Sequence, residues 1–136
     1  MSAVARSAQA AAPVVRSFHH SETGTWTHVV VDPATRCAAI VDPVLDFDAG
    51  SGRILADSVQ RVLEYVATAG LDVRWLLETH AHADHLSAGA WLRERTPATL
   101  AIGAGIVEVQ RTFQSLLDLG EDFAADGSQF DRLFAD

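Results

Sequence analysis

The sequence contains no lysine, so all ten of its basic residues are arginine. Set against 18 acidic residues, they leave a formal net charge of −8 at pH 7. A surface of this charge repels phosphates, and we therefore expect neither nucleic acid nor an acidic membrane as a partner. The sequence also lacks any apolar run near the roughly 18 residues that a membrane-spanning helix needs. These absences argue against a nucleic-acid-binding module and against a membrane-spanning protein.

Cysteine is almost absent as well. Cys37 is the only one, which rules out an internal disulfide and makes a reducing compartment the default. We expect the cytoplasm, with the mitochondrial matrix as the alternative. Cys37 begins the apolar segment of residues 37–41. A buried core thiol is therefore a better interpretation than a nucleophile.

The first 16 residues are rich in alanine and serine, carry Arg6 and Arg16, and include no acidic residue. This composition is similar to that of a mitochondrial transit peptide, but a disordered bacterial leader or a misassigned start codon fits it equally well. We predict a disordered leader over residues 1–16 and one folded domain over residues 17–136. The 136 residues are 49% apolar and 21% charged, which is typical of a globular protein with a real core.

Beyond the leader, strand and helix patterns alternate. Apolar runs predict strands over residues 25–31, 37–41, 73–77 and 99–102, and apolar residues at helical spacing predict helices that begin near residues 55, 86 and 106. The link Asp32-Pro33-Ala34-Thr35 is short enough to pair the first two strands antiparallel. Residues 73–77 are expected to form a central parallel strand, as in other α/β sheets. Residues 46–52 and 121–136 are predicted loops.

Directly after this central strand the sequence reads Thr79-His80-Ala81-His82-Ala83-Asp84-His85, with four potential metal ligands. In extended backbone, residues i and i+2 point the same way, so His80 and His82 can converge on one point. Asp84 and His85 fall where the chain turns toward a helix and can aim at a second, adjacent point. Imidazoles and a carboxylate are ligands that zinc, iron and manganese accept.

An ordinary structural role explains this cluster poorly. A single histidine beside a strand is usually a hydrogen-bonded bystander. Three histidines and an aspartate at the end of a strand, however, cost stability unless something satisfies them. The other three histidines, His19, His20 and His28, have no comparable spacing partner, and we interpret them as surface or strand residues.

The motif His80-x-His82-x-Asp84-His85 after an apolar strand resembles the signature of the metallo-β-lactamase superfamily. The wider segment Glu-Thr-His-Ala-His-Ala-Asp-His-Leu-Ser-Ala-Gly, residues 78–89, is most similar to the branch that contains persulfide dioxygenases and glyoxalase II. The resemblance extends from about Phe18 to the last residue. It implies an α/β fold, namely the N-terminal half of a metallo-β-lactamase αββα sandwich, with a mixed sheet and helices.

The resemblance also implies a chemistry. The metal ligands would be His80, His82, Asp84 and His85, with Asp84 also acting catalytically by orienting water. The metal would be Fe²⁺ or Zn²⁺. An iron enzyme would convert glutathione persulfide and dioxygen to sulfite and free thiol, whereas the alternative, a glyoxalase II-like hydrolase, would cleave glutathione thioesters. In the family, an aspartate at the position of Asp42 supports the site through hydrogen bonds. A turn-forming aspartate before Pro43 is an equally good interpretation.

No histidine follows His85. The family takes a third histidine and a bridging aspartate from the second half of its domain, and we find no counterpart of either. A catalytic metal needs at least three protein ligands and one open position, whereas the family's geometry would leave two ligands here for each metal. We therefore expect a partial domain that is inactive as this short chain. The alternatives are a homodimer that completes the site, and a non-catalytic metal-binding or interaction module.

Overall fold

The computed structural model describes residues 11–135, which form nine strands and three helices. The strands are β1 (Val14–His20), β2 (Thr25–Val31), β3 (Cys37–Val41), β4 (Val44–Asp48), β5 (Arg53–Leu55), β6 (Asp72–Leu77), β7 (Leu86–Ser87), β8 (Thr99–Gly103) and β9 (Arg132–Phe134). The helices are α1 (Asp57–Thr68), α2 (Gly89–Arg93) and α3 (Ile106–Leu116). None of these helices is long and apolar enough to cross a membrane.

A six-stranded sheet in the order β1-β2-β3-β6-β8-β9 forms the centre of the fold. Strands β1, β2 and β3 pair antiparallel, and β3, β6, β8 and β9 pair parallel. In the turn between β2 and β3, the Asp32 carboxylate accepts hydrogen bonds from the Ala34 N–H at 2.9 Å and the Thr35 hydroxyl at 2.7 Å. The predicted hairpin, the central position of β6 and the mixed α/β class are confirmed.

Helix α1 covers one face of this sheet. Its buried residues Val59, Val62 and Val66 follow the spacing of a single helix face. They join a core cluster with Ile40 and Leu76, which point to the same side of the sheet from β3 and β6. The core therefore fixes the strand that leads into the histidine motif.

A second sheet of three strands, in the order β5-β4-β7, lies beside the motif. It corrects two predictions. The predicted loop begins too early: residues 46–48 belong to β4, because Leu45-Asp46-Phe47-Asp48 alternates apolar and polar residues and its last three residues pair with β5. The helix predicted from residue 86 begins only at Gly89, because Leu86 and Ser87 first pair with β4.

Both edge strands of the large sheet were also missed. Val14, Val15 and Arg16 fall within the predicted leader, but they pair with β2 as the start of β1. Residues 1–10 of that leader lie outside the described residues. Strand β9 falls within the predicted loop of residues 121–136, where its three residues pair with β8. The partner of β9 is distant in sequence, whereas β1 forms a hairpin with β2 through mostly exposed residues. In both strands pairing decides more than local propensity.

Candidate metal centre

The histidine motif lies at the carboxyl end of β6, where the neighbouring parallel strands also end. Val41 of β3 pairs with Leu77 of β6, so Asp42 and Glu78 leave the sheet side by side. The Asp42 N–H donates to the Leu77 carbonyl at 2.9 Å. Asp42 has a φ of 50°, a left-handed conformation that aspartate tolerates better than most residues.

The Asp42 carboxylate fixes the start of the histidine loop. Its Oδ1 accepts hydrogen bonds from the Thr79 N–H at 2.8 Å and from His82 Nε2 at 2.9 Å, and its Oδ2 accepts one from the Thr79 hydroxyl at 2.7 Å. Burial raises the pKa of Asp42, but these hydrogen bonds outweigh burial and hold it below its usual value. Asp42 thus contacts a predicted ligand. Its support of a bound metal stays a prediction.

Three of the four predicted ligands come together. The candidate ligand atoms of His82, Asp84 and His85 all lie within 4.8 Å of one another. Asp84 Oδ1 is 3.1 Å from His85 Nδ1 and 3.9 Å from His82 Nδ1. The His80 ring is centred 4.2 Å from the His82 ring, but its Nδ1 is paired with the Thr79 hydroxyl at 2.8 Å. The division of the four ligands between two metal positions stays a prediction.

The hydrogen bonds of His82 indicate which of its ring nitrogens is available to a metal. Nε2 donates to the Asp42 carboxylate, so Nδ1 keeps a free lone pair on the side of Asp84. A carboxylate on one ring nitrogen and a metal on the other is the usual arrangement for a ligating histidine.

His85 provides the test of whether a metal fits. Its side chain is only 2% exposed, and its Nε2 is buried without a hydrogen-bond partner among the described residues. Burial, followed by the nearby His82, lowers the pKa of His85 and favours the neutral imidazole, which is the form that binds metals. A buried lone pair without a partner costs stability. The residues therefore fit a divalent ion that prefers imidazole and carboxylate ligands.

Glu78 also belongs to this site, although the sequence pattern predicts no role for it. Its side chain is 5% exposed, and its Oε2 lies 3.1 Å from His82 Nε2. Its Oε1 accepts a hydrogen bond from the Ser87 hydroxyl. Burial raises the pKa of Glu78 to about 7. The sequence does contain one signal for such a role. Glu78 directly follows the apolar run of residues 75–77, and a charge at the end of a buried strand requires a partner.

We expect Glu78 to contribute a loss of stability to the metal-free chain as the pH rises from about 4.5 to about 7. The unfolded chain releases the Glu78 proton near pH 4.5 and the folded chain only near pH 7. Across this window Glu78 holds its proton in the folded state more than in the unfolded state, so its contribution favours unfolding as the pH rises. The loss is on the order of 3 kcal/mol. Urea denaturation of the wild type and of Glu78→Gln at several pH values, with a chelator present to remove metal, measures this loss of stability. The free energy of unfolding of the variant should rise relative to that of the wild type as the pH increases. A difference that does not change with pH would contradict this expectation.

A cavity of about 390 Å³ opens beside the histidines. His80, His82 and His85 line one side of it, and the apolar residues of its walls include Leu100, Ile102, Ile106, Val109, Phe113, Phe123 and Phe130. The volume lies within the range of small-molecule sites. The cavity therefore places room for a small ligand next to the candidate metal ligands.

The other residues considered from the sequence are not part of the cluster, although His20 lines a separate pocket with His82, Asp84 and His85. His20 is buried and pairs with Asp46 Oδ1 at 3.0 Å and with the Thr23 hydroxyl at 2.7 Å. His28 pairs with the Ser17 hydroxyl at 2.7 Å. Both are strand residues with ordinary hydrogen bonds, as predicted. Cys37 is half-buried, and so it is less enclosed than the predicted core thiol.

Residues 22–132 match the family model of the metallo-β-lactamase superfamily. The chain belongs to this superfamily. The beta-lactamase hydrolase-like protein of Agrobacterium fabrum is 45% identical over 125 residues, which are 92% of this chain and 29% of that protein. The mitochondrial persulfide dioxygenase ETHE1 of Bos taurus is 29% identical over 92 residues, 67% of this chain and 32% of that protein.

A solved structure is similar to this chain in fold and sequence. The crystal structure of ETHE1 from Myxococcus xanthus matches with a TM-score of 0.54 and 39% identity, over 65% of this chain and 34% of that one. The resemblance predicted from the motif is thereby confirmed. The chain spans about a third of the length of these three relatives.

Proposed function

We propose that this chain supplies the N-terminal half of the metal site of a glutathione persulfide dioxygenase. In that reaction a persulfide, dioxygen and water give sulfite and the free thiol, so that the terminal sulfur is oxidised and dioxygen is reduced. The observation that carries the proposal is the cluster of His82, Asp84 and His85 with the unpaired buried Nε2 of His85. The similarity to the persulfide dioxygenase ETHE1 of Bos taurus and to ETHE1 of Myxococcus xanthus supports the choice of this activity for the proposal.

The contacts suggest a role for each group. Bound Fe²⁺ would supply the redox chemistry that dioxygen requires, held by ligands drawn from His80, His82, Asp84 and His85. The Asp42 carboxylate orients the His82 ring, because it accepts the Nε2–H and leaves Nδ1 free. The apolar cavity would receive the small-molecule thiol substrate beside these ligands and keep bulk water away from it.

A second candidate is a glyoxalase II-like hydrolase of glutathione thioesters. The side chain of Asp84 is 56% exposed at the edge of the cluster, so its carboxylate can orient a water molecule from solvent. Zn²⁺ would supply the Lewis acidity that lowers the pKa of such a water. The exposure of Asp84 is the observation that favours this candidate.

A chimera tests the two candidates directly. Residues 22–132 of this chain replace the aligned segment of Myxococcus xanthus ETHE1. After anaerobic loading with Fe²⁺, we expect glutathione persulfide to drive oxygen uptake with one sulfite formed for each dioxygen consumed. His82→Ala should lower this rate by about 10–100-fold or more, because it removes a ligand together with its hydrogen-bonded support.

His28→Ala is the matched control, because His28 is a strand histidine outside the cluster, and its rate should equal that of the unsubstituted chimera. Cleavage of a glutathione thioester by the Zn²⁺-loaded chimera, without oxygen uptake by the Fe²⁺ form, would contradict the proposal in favour of the hydrolase. Metal bound with neither activity would contradict both candidates and indicate a non-catalytic metal-binding module.

A further inference from the structure

We propose that Glu78 is a positioning residue whose buried carboxylate acts with Asp42 on the Nε2–H of His82 and strengthens Nδ1 as a metal ligand. The inference rests on the proposed metal site. It is independent of the reaction that a bound metal supports.

The first step is the convergence of two carboxylates on one ring nitrogen. Asp42 Oδ1 lies 2.9 Å and Glu78 Oε2 3.1 Å from His82 Nε2. A single N–H cannot serve two acceptors equally. It donates to Asp42, and Glu78 Oε2 has no hydrogen-bond partner among residues 11–135. Glu78 therefore acts on the imidazole through its negative charge beside the N–H rather than through a hydrogen bond.

The second step is that the local structure holds this carboxylate in place. The Glu78 N–H donates to the Ala101 carbonyl at 3.0 Å, which ties its backbone to β8. The Ser87 hydroxyl donates to Glu78 Oε1, and the same oxygen of Ser87 accepts the Gly89 N–H at 2.9 Å. A Cβ on Gly89 would lie only 2.7 Å from Glu78 Oε1, so the glycine makes room for the carboxylate. The side chain is thus packed against its neighbours on the side away from His82.

The third step concerns charge. A buried carboxylate oxygen without a hydrogen bond destabilises the metal-free chain. Its negative charge polarises the N–H of His82 and makes the opposite nitrogen a better electron-pair donor to a cation. A cation at that nitrogen would in turn offset the buried charge. Glu78 is therefore expected to lower the stability of the metal-free chain and to raise its affinity for metal. A residue with a merely structural role would neither destabilise the metal-free chain nor raise its affinity for metal.

The test uses Glu78→Gln in the 136-residue chain, because glutamine keeps the size of the side chain and a partner for Ser87 but removes the charge. Competition with a chromophoric chelator measures the Zn²⁺ affinity, which should fall about 10–100-fold. At pH 8, denaturation of the metal-free variant should show higher stability than that of the wild type. The ¹⁵N NMR spectrum of the metal-free variant should keep His82 in the Nε2–H form, since Asp42 remains, with the Nε2 resonance shifted.

The control is Glu64→Gln, which removes the same charge from an exposed position on α1 and should change neither quantity. An unchanged Zn²⁺ affinity in Glu78→Gln would overturn the proposal. A variant that loses both Zn²⁺ affinity and stability in the metal-free state would overturn it as well. A wild-type chain that binds no Zn²⁺ would overturn it at its premise. Since none of these measurements involves turnover, a failure of persulfide oxidation would leave their outcome unaffected.

Discussion

Replacement of Leu76 by alanine should lower the free energy of unfolding by about 2–5 kcal/mol. Leu76 is 0% exposed and lies in β6, between β3 and β8. Its side chain belongs to the core cluster that includes Ile40 and Val59. Truncation removes buried methyl groups and leaves a cavity that a close-packed sheet and helix cannot fill by relaxing.

Leu116→Ala is the matched control. Leu116 lies at the end of α3 and is 72% exposed, so the same truncation should change stability by no more than about 0.5 kcal/mol. Urea denaturation followed by circular dichroism, with a chelator present, compares the two variants on the same scale. Equal losses from both would contradict the assignment of β6 as the central core strand. The comparison matters for the site, because the histidine loop begins directly after β6.

The parts of the fold that could be predicted from the sequence carry local signals. Strand β6 is a short apolar run, the hairpin of β2 and β3 has a proline-containing turn, and the metal motif is a spacing of ligand types within a few residues. Strand β9 carries no such signal, because it pairs with β8 on the far side of helix α3. Strand β1 pairs with the adjacent β2, but its residues are mostly exposed and form no apolar run. Local propensity alone is a weak guide to such strands.

The same distinction applies to the candidate site. Ligand spacing predicted His80, His82, Asp84 and His85 as ligands, and the structure brings the last three together. The role of Glu78 was not visible, because its contacts with Ser87 and His82 form only after β7 returns to the end of β6. The role of Asp42 could be predicted only in part. The resemblance predicts that it supports the metal site, but its hydrogen bond to His82 depends on the parallel pairing of β3 with β6.

Alanine in place of Gly89 should lower the free energy of unfolding by roughly 1–3 kcal/mol, the usual cost of overpacking, and should weaken Zn²⁺ binding as well. The added Cβ would lie 2.7 Å from Glu78 Oε1, 2.8 Å from Leu100 Cδ1 and 3.1 Å from the Ser87 hydroxyl oxygen. Since β8 holds Leu100 in place, relief must come from a shift of α2 or from displacement of the Glu78 carboxylate. Either movement disturbs the contacts behind His82.

Gly103→Ala separates this steric effect from the general effect of removing a glycine. A Cβ at Gly103 would meet no atom within 4 Å, and the residue has no positive φ. Alanine reduces the conformational freedom of the unfolded chain at both positions, so the control should be neutral or more stable by up to about 1 kcal/mol. Denaturation and Zn²⁺ competition should both distinguish the two variants. If Gly89→Ala lost stability but kept the Zn²⁺ affinity of the wild type, the packing around Gly89 would be unconnected to the metal ligands. If both fell, the close approach of Gly89 to Glu78 would be part of what holds His82 in place.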